Sequence, residues 1–218
     1  MTFSLRQKIL AEFIGTYFLV LTVVGSGIMG ELMSNDLGII LLGNTIATGA
    51  ILYVIISMFI NISGAYFNPA VVLSDIIQKN IPINYGIIFI FTQIIAGIFG
   101  CLTANWYFEY PIIEWSLNER VGVFKFFSEI IATVGLLLTI FILKEVNKER
   151  IPIGVALFIT AGYWFTSSTS FANPAVTIGR MFTDSFSGIS PSSVIGFILA
   201  QIIGALIATV TVRLFFKN

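Results

Sequence analysis

The stretch that decides the fold runs Ile62-Ser63-Gly64-Ala65-Tyr66-Phe67-Asn68-Pro69-Ala70, and its ending recurs later as Asn173-Pro174-Ala175. Asparagine is a strong helix N-cap, and proline is favoured at the first helical position. Each Asn-Pro-Ala therefore predicts the start of a helix. The apolar runs that follow, Asn68–Ile77 and Asn173–Thr183, contain ten and eleven residues. Because a helix rises ~1.5 Å per residue, such runs reach only about halfway through a ~30 Å bilayer core, which predicts two re-entrant half-helices.

The composition places most of the chain in lipid. Of its 218 residues, 57% are hydrophobic and only 10% are charged, and the mean hydropathy is +0.98. Soluble proteins carry roughly 25% charged residues, so this surface is suited to a lipid bilayer and not to water. The formal net charge is zero, which gives no indication of a nucleic-acid partner.

Six apolar runs are long enough to cross a membrane. The predicted fold is an all-α membrane protein with six transmembrane helices and the two re-entrant half-helices. The predicted spans are Ile9–Met29, Leu37–Ile62, Asn84–Tyr107, Val123–Leu143, Ile151–Ser168 and Ser192–Phe216.

The positive charges predict the orientation of the chain. Six spans place both termini on one side, and with cytoplasmic termini eight of the eleven Lys and Arg residues lie inside. Positive residues are enriched in cytoplasmic loops, so we expect cytoplasmic termini in a multi-pass protein of the cell (inner) membrane. The eight are Arg6, Lys8, Lys79, Lys144, Lys148, Arg150, Arg213 and Lys217; the other three are Arg120, Lys125 and Arg180.

The two halves of the sequence resemble each other. Three markers recur in the same order: a glutamate in the first and fourth spans, Asn-Pro-Ala, and a Gln-Ile-Ile in the third and sixth spans. Each half holds three spans, an odd number, so the two copies must insert upside down relative to each other. We therefore predict one channel domain over residues 1–218, made of inverted repeats 1–110 and 118–218, with a functional site near the membrane midplane.

Inversion would bring the two half-helix N-termini together at the membrane centre. Each N-terminus carries about half a positive charge, and such ends are a barrier to protons and cations in pores. The pore centre is predicted at Asn68, Pro69, Ala70, Asn173, Pro174 and Ala175. Extended backbone at this depth is tolerated where it lines a wetted cavity. The carbonyl groups expected along that wall belong to Gly64, Ala65, Tyr66, Thr169, Ser170 and Phe171.

Two glutamates, Glu12 and Glu129, lie within predicted spans, where an ionisable group is costly and faces the bundle interior. We interpret them as acceptors that brace the loops leading into the half-helices, and Gln93 and Gln201 receive the same interpretation. Proton relay or ion coordination is the alternative for the glutamates.

The set Ala11-Glu12-Phe13-Ile14-Gly15-Thr16, the stretch 62–70 and Asn173-Pro174-Ala175 resembles the aquaporin (major intrinsic protein) family. The resemblance covers essentially the whole chain. It implies six spans and two half-helices, passive flow of water or small uncharged solutes, and a homotetramer with one pore in each subunit.

The positions at which this chain departs from the family pattern are those expected to select the solute. Most members have arginine directly after the second Asn-Pro-Ala, whereas this chain has Val176. By resemblance, the outer selectivity constriction is lined by Thr48, Ala161 (or Gly162, one residue along), Ser170 and Val176. Small side chains and the loss of a guanidinium predict a wide, weakly selective opening. The run from Asn173 to Arg180 also resembles a bacterial subset associated with arsenic resistance, which suggests arsenite as the neutral hydroxide.

Arg180 lies four residues after Val176, on nearly the same helix face. One hypothesis places its charge in the outer vestibule, above the constriction. The alternative is a surface ion pair with Asp184.

The sequence thus predicts a channel for glycerol, metalloid hydroxides such as arsenite, and water. A mainly water-selective aquaporin is the alternative; an ion-coupled transporter and an ion-conducting pore are less favoured because both half-helices would direct positive ends at the centre. The chain contains no histidine, and the sequence predicts no enzyme, no catalytic residue, no cofactor and no metal site.

Overall fold

The computed structural model describes residues 2–216, all of them in helices or in the loops between helices. Lys217, which contributes to the predicted charge bias, lies outside the described residues. The α-helices are α1 (Leu5–Met33), α2 (Leu37–Phe59), α3 (Pro69–Ile77), α4 (Ile83–Tyr107), α5 (Val123–Val146), α6 (Ile151–Phe165), α7 (Pro174–Gly179) and α8 (Pro191–Phe216). Single turns of 3-10 helix occur at Lys148–Arg150 and Arg180–Phe182.

Five helices, α1, α2, α4, α5 and α8, are long and apolar enough to cross a membrane. α6 has fifteen residues, about 22 Å at 1.5 Å per residue, and is shorter than the predicted span 151–168. It ends at Phe165 because the following residues already turn back toward the second half-helix. Large apolar side chains such as Phe91, Ile131 and Leu157 are exposed on the outside of the bundle, as in a protein that faces lipid. The all-α membrane fold predicted from the sequence is confirmed.

The helices of the two halves pack in matching ways. α1 packs against α4 in the first half, α5 packs against α8 in the second, and α2 and α6 join the halves. Glycines permit the closest approaches: a Cβ added to Gly100 of α4 would lie 2.5 Å from the carbonyl oxygen of Tyr17. A Cβ on Gly204 of α8 would lie 2.8 Å from the carbonyl oxygen of Ile130. Small residues at helix contacts are typical of packing in membranes.

The chain exposes its connections on two opposite faces. We call the face formed by residues 2–4, 78–82 and 147–150 the terminal face, and the face formed by residues 34–36, 108–122 and 180–190 the loop face. Contacts hold each face together: Lys144 reaches Asp75 on the terminal face, and Ser190 N–H donates to the Asn118 carbonyl on the loop face. α3 ends toward the terminal face and α7 toward the loop face, so the half-helices run in opposite directions from the centre.

Candidate pore

Each half-helix begins at an asparagine cap. The Asn68 Oδ1 accepts a hydrogen bond from Ala70 N at 2.8 Å. The Asn173 Oδ1 accepts from Ala175 N at 2.9 Å and from Val176 N at 3.3 Å. Proline follows at the first helical position in both. The local sequence Asn-Pro-Ala therefore sets both starting points by the same capping chemistry.

The two asparagines also tie the half-helices to each other. Asn68 Nδ2 donates to the carbonyl oxygen of Ala172 at 2.7 Å, and Asn173 Nδ2 donates to the carbonyl oxygen of Phe67 at 2.8 Å. These reciprocal bonds join residues more than a hundred positions apart and bring the two caps side by side. An amide nitrogen carries two N–H groups. One N–H of each asparagine therefore remains for a molecule in the adjacent cavity.

The loops that enter the half-helices share an uncommon backbone. Residues three and one positions before each asparagine have left-handed φ angles: 51° at Ala65 and 48° at Phe67, 50° at Ser170 and 47° at Ala172. Left-handed conformations are rare outside glycine and cost of order 1–3 kcal/mol each where strained. Such angles persist only where the surroundings fix the backbone.

Glu12 fixes the first loop. Its carboxylate accepts from Tyr66 N at 3.0 Å and from Phe67 N at 2.8 Å. It also accepts from the Ser63 hydroxyl at 2.6 Å and from Gln93 Nε2 at 2.8 Å. The side chain of Glu12 is fully buried, so these four donors replace the water that it lacks.

Glu129 occupies the equivalent position beside the second loop. Its carboxylate accepts from Phe171 N at 3.3 Å, from Ala172 N, and from Gln201 Nε2 at 2.9 Å. The same Gln201 nitrogen donates to the Thr177 hydroxyl of α7 at 2.8 Å. Both glutamates thus contact the loops beside them, and Gln201 also reaches α7, whereas Gln93 contacts Glu12.

A cavity of about 700 Å³ runs past both caps from the terminal face toward the loop face. The lining contains both cap asparagines and residues Gly64 to Phe67 of the first loop. Ser170 and Phe171 line it from the second loop, whereas Thr169 does not line the cavity and instead accepts a hydrogen bond from Arg120 at 3.4 Å. The apolar part of the lining comes from α1, α2, α5 and α6 and consists mainly of Leu19, Val23, Leu52, Ile56, Leu136, Ile140, Val155 and Ile159.

The residues predicted for the constriction line the cavity only in part. Thr48, Ser170 and Val176 line the cavity, but Ala161 does not, because it lies on the outer, exposed face of α6. The α6 side chain that lines the cavity next to Thr48 is Tyr163, whose hydroxyl lies 3.3 Å from Thr48 Oγ1. Successive helical residues turn by about 100°, so Ala161 and Tyr163 lie on opposite faces. Gly162 lies behind Ser170, since a Cβ there would be 2.6 Å from the Ser170 hydroxyl.

Arg180 also lines the cavity, and the predicted surface pair with Asp184 is wrong. The Arg180 side chain is only 2% exposed. Its Nε donates to the Ser187 carbonyl, and its guanidinium carbon lies 3.5 Å from the centroid of the Phe171 ring. Asp184 instead accepts from Leu117 N at 2.8 Å. Arg180 is buried because residues 183–190 fold back over it, which a local sequence pattern does not reveal.

Arg120 is a site residue that the sequence analysis did not assign. Its guanidinium carbon lies 5.0 Å from the Phe171 centroid, on the loop face. Nε donates to the Gly188 carbonyl at 2.9 Å and Nη2 to the Phe186 carbonyl at 3.3 Å. Burial lowers the pKa of Arg120, but arginine stays protonated at neutral pH. The only sequence feature that could have indicated a role for Arg120 was its position in the polar linker between the two repeats.

A second unassigned cluster lines the cavity at the terminal face. The Asp75 carboxylate accepts from the Tyr66 hydroxyl at 3.0 Å and from Asn80 Nδ2 at 2.7 Å. Lys144 Nζ lies 3.0 Å from Asp75 Oδ2. The carboxylate is therefore satisfied and its charge is compensated. Asp75 is seven residues, or two helical turns, past Asn68 along α3. This spacing was the sequence feature that could have placed Asp75 on the same side of α3 as the cap.

Comparison with known proteins agrees with this geometry. The model of the family "Major intrinsic protein" matches residues 1–163 and 143–218. The chain belongs to the major intrinsic protein family. A curated relative, aquaglyceroporin AqpS of Rhizobium meliloti strain 1021, is 41% identical over 211 residues, covering 97% of this chain and 91% of that protein. A probable TIP-type aquaporin of Medicago truncatula is 31% identical over 184 residues, 78% of this chain and 72% of that one.

A solved structure supports the fold. The aquaglyceroporin from Plasmodium falciparum superposes with a TM-score of 0.73 over 99% of this chain and 96% of that one, at 20% sequence identity. Members of the family are channels and not enzymes. This major intrinsic protein is therefore an integral, multi-pass membrane channel.

Proposed function

We propose that this protein is a passive channel for small uncharged solutes, namely glycerol, metalloid hydroxides such as arsenite, and water. The solutes would move through the cavity that passes Asn68 and Asn173. The relative named an aquaglyceroporin, which aligns with 97% of this chain, supports glycerol as a solute. Arsenite rests on the resemblance of the second Asn-Pro-Ala segment alone.

The observation that carries the proposal is that polar groups of the two re-entrant loops and apolar side chains of α1, α2, α5 and α6 line the same cavity. Glycerol has hydroxyl groups along one edge and a carbon chain along the other. Its hydroxyls would replace lost water with hydrogen bonds to the loop backbone and the asparagine amides. Its carbon chain would face side chains such as Leu52 and Ile159, at little desolvation cost.

The centre of the cavity favours neutral solutes over cations. The α3 and α7 N-termini lie side by side there, and the remaining N–H of each cap asparagine is a donor. A cation would meet donors and positive helix ends, whereas a hydroxyl oxygen can accept from them. Glu12 and Glu129 act as braces in this proposal, since their oxygens are occupied by loop donors, and not as ion ligands.

A mainly water-selective channel is the second candidate. The observation that favours it is the presence of Tyr163 and Arg180 at the cavity lining near Thr48. An aromatic ring and a guanidinium narrow the opening beyond what Val176 and Ser170 alone would allow. The two candidates differ in whether glycerol passes this point.

The location and assembly belong to the same proposal. We infer a cell (inner) membrane with cytoplasmic termini, on the basis of the positive residues concentrated at the terminal face. We also infer a homotetramer, by family resemblance, with one pore in each subunit. The inverted repeats 1–110 and 118–218 are inferred as the two halves of a single channel domain; the matching loop angles and asparagine caps support this division.

Stopped-flow light scattering on proteoliposomes tests the proposal. A sucrose gradient shrinks the vesicles through water flow alone, and a glycerol gradient shrinks them and then lets them re-swell as glycerol enters. We expect re-swelling well above that of protein-free liposomes. Val176→Arg, which adds a guanidinium to the lining, should slow glycerol entry more than water flow.

Fast shrinkage in sucrose without glycerol entry would reject the glycerol proposal and favour the water channel. Entry of arsenite at neutral pH, where it is uncharged, is measured separately by the arsenic content of the vesicles. Glycerol entry without arsenite entry would restrict the proposal to organic solutes and water.

A further inference from the structure

The loop-face end of the cavity holds a positive charge that forms no ion pair with a carboxylate among residues 2–216. The buried Glu129, whose oxygens accept from loop donors, attracts Arg180 only from beyond ion-pair distance. Arg180 is buried, and its Nε and one face of its guanidinium are occupied by Ser187 and Phe171. Its two terminal amino groups have no hydrogen-bond acceptor among residues 2–216, and Lys144–Asp75 is the only ion pair there. A planar guanidinium with two free donors is suited to a planar anion.

A second guanidinium strengthens the local field. Arg120 lies over the same Phe171 ring. Gly188, Phe186 and Thr169 occupy three of its five N–H groups, so its main contribution here is charge. Two buried like charges repel each other, and a bound anion would relieve this repulsion.

The cavity lining also contains an unpartnered hydroxyl, one residue before Phe171. The Ser170 side chain is 2% exposed, lines the same cavity, and its Oγ has no hydrogen-bond partner in the described part of the chain. Ser170 directly precedes Phe171, on which Arg180 stacks. A buried hydroxyl without a partner is costly unless a solute supplies an acceptor or donor.

We propose that the loop-face end of the pore is a binding site for a small monocarboxylate anion. The terminal amino groups of Arg180 form the two parallel bonds that a carboxylate accepts. Ser170 Oγ, which packs against Gly162 in the structure, rotates to donate a third. Val176 offers an apolar surface to a short carbon tail. The acidic residues of the cavity lining, Asp75 and Glu149, lie at the terminal face. Glu129, buried beside the second loop, attracts both arginines and already accepts hydrogen bonds from Phe171 and Ala172. The site rests on the proposed pore, and a bound carboxylate would obstruct it.

Inhibition of glycerol entry by sodium acetate tests the site. Acetate is present at equal concentration inside and outside the vesicles, at neutral pH, with sodium chloride at the same ionic strength as the reference. We expect acetate to slow glycerol entry severalfold in the parent. Ser170→Ala should weaken the inhibition about tenfold, as expected for the loss of one hydrogen bond to a charged group. Arg180→Gln should weaken it further.

The control is Lys125→Gln, which removes a loop-face charge outside the cavity and should leave both glycerol entry and acetate inhibition unchanged. Arg180→Lys keeps the charge but loses the planar fork, so weak inhibition is expected. Equal inhibition of all variants, or no inhibition of a parent that conducts glycerol, would overturn the site without affecting the proposed function. Stronger inhibition by inorganic phosphate than by acetate would overturn the carboxylate assignment.

A binding measurement separates failure of the site from failure of the proposed function. In detergent, acetate should raise the thermal unfolding temperature of the parent but not that of Arg180→Gln, because a ligand stabilises the state that it binds. A shift of this kind in a protein that does not conduct glycerol would support the site and reject the glycerol channel. The absence of any shift over the chloride reference would overturn the site.

Discussion

The two re-entrant segments, residues 60–77 and 166–179, share a backbone design but end in different electrostatic surroundings. Both contain left-handed residues at the same distances before the asparagine. Both asparagines cap their own helix and donate to the opposite loop. Both loops donate amide N–H groups to a buried glutamate on a neighbouring long helix.

The segments differ beyond the half-helix. At the end of α3, Asp75 pairs with Lys144, and Arg213 donates to the Ile77 carbonyl at 2.8 Å. Beyond α7, Arg180 is buried against Phe171 and has no carboxylate partner among the described residues. In the proposed function, the shared part builds the solute path through the membrane centre. The differing part gives each mouth its own charge, which is where we place solute discrimination.

The largest effect is expected from breaking the shared part. Glu12→Ala leaves two loop amides, a serine hydroxyl and a glutamine without their acceptor, beside backbone that depends on those bonds. We expect a loss of about 3 kcal/mol or more in unfolding free energy and loss of solute flux. Glu129→Ala should cost somewhat less, since fewer donors reach it. Thermal unfolding in detergent and the proteoliposome assay measure both effects.

Glu31→Ala is the matched control, because Glu31 is exposed at the end of α1. It should leave unfolding and flux near the parent values. If Glu12→Ala and Glu129→Ala behave like Glu31→Ala, the two loops hold their shape without the glutamates, and the bracing role is rejected.

The features that the two re-entrant segments share could be predicted from the sequence. Asn-Pro fixes a helix start through local capping, and the length of the apolar run limits how far the helix extends. A buried glutamate near a loop full of unpaired amides has few other roles, which is why Glu12 and Glu129 could be interpreted as braces. Their donors in the structure include the predicted glutamines, Gln93 and Gln201.

The differing part depends on tertiary contacts. The position of Arg180 follows from a loop that folds back and from the Phe171 ring, neither of which a four-residue spacing encodes. Tyr163, and not Ala161, lines the cavity because of how α6 is rotated about its axis. The family pattern placed the lining position of α6 two residues too early in the sequence. The pairing of Asp75 with Lys144 joins residues 69 positions apart.

An intermediate effect is expected at the compensated mouth. Asp75→Asn removes the charge that Lys144 and Tyr66 contact. We expect a destabilisation of about 1–2 kcal/mol, limited by the partial exposure of Lys144, which water can solvate. Thermal unfolding of Asp75→Asn, Lys144→Met and the double variant forms a cycle. If the losses in unfolding free energy of the two single variants add up to that of the double variant, Asp75 and Lys144 are not coupled. The charge difference between the two ends of the cavity would then matter less than we propose.

The smallest effect is expected at the constriction. Tyr163→Phe removes one hydroxyl, whose contact with Thr48 is 3.3 Å long. We expect a loss of about 0.5–1 kcal/mol or less in unfolding free energy, because the bond is long and the ring remains. Tyr53→Phe, on the exposed side of α2, is the control and should change nothing measurable. A loss well above 1 kcal/mol at Tyr163 would mean that the hydroxyl holds α2 and α6 together.

The central claim is that the cavity past both asparagine caps is the solute path, and one matched pair of variants tests it directly. Val71 lines the cavity beside the first cap, whereas Val210 is 57% exposed on the outside of α8. Glycerol entry is measured by stopped-flow light scattering for Val71→Trp and Val210→Trp at equal protein content. If solutes move through this cavity, Val71→Trp abolishes glycerol entry and Val210→Trp preserves it. Full glycerol entry through a folded Val71→Trp variant would show that the solute path lies elsewhere.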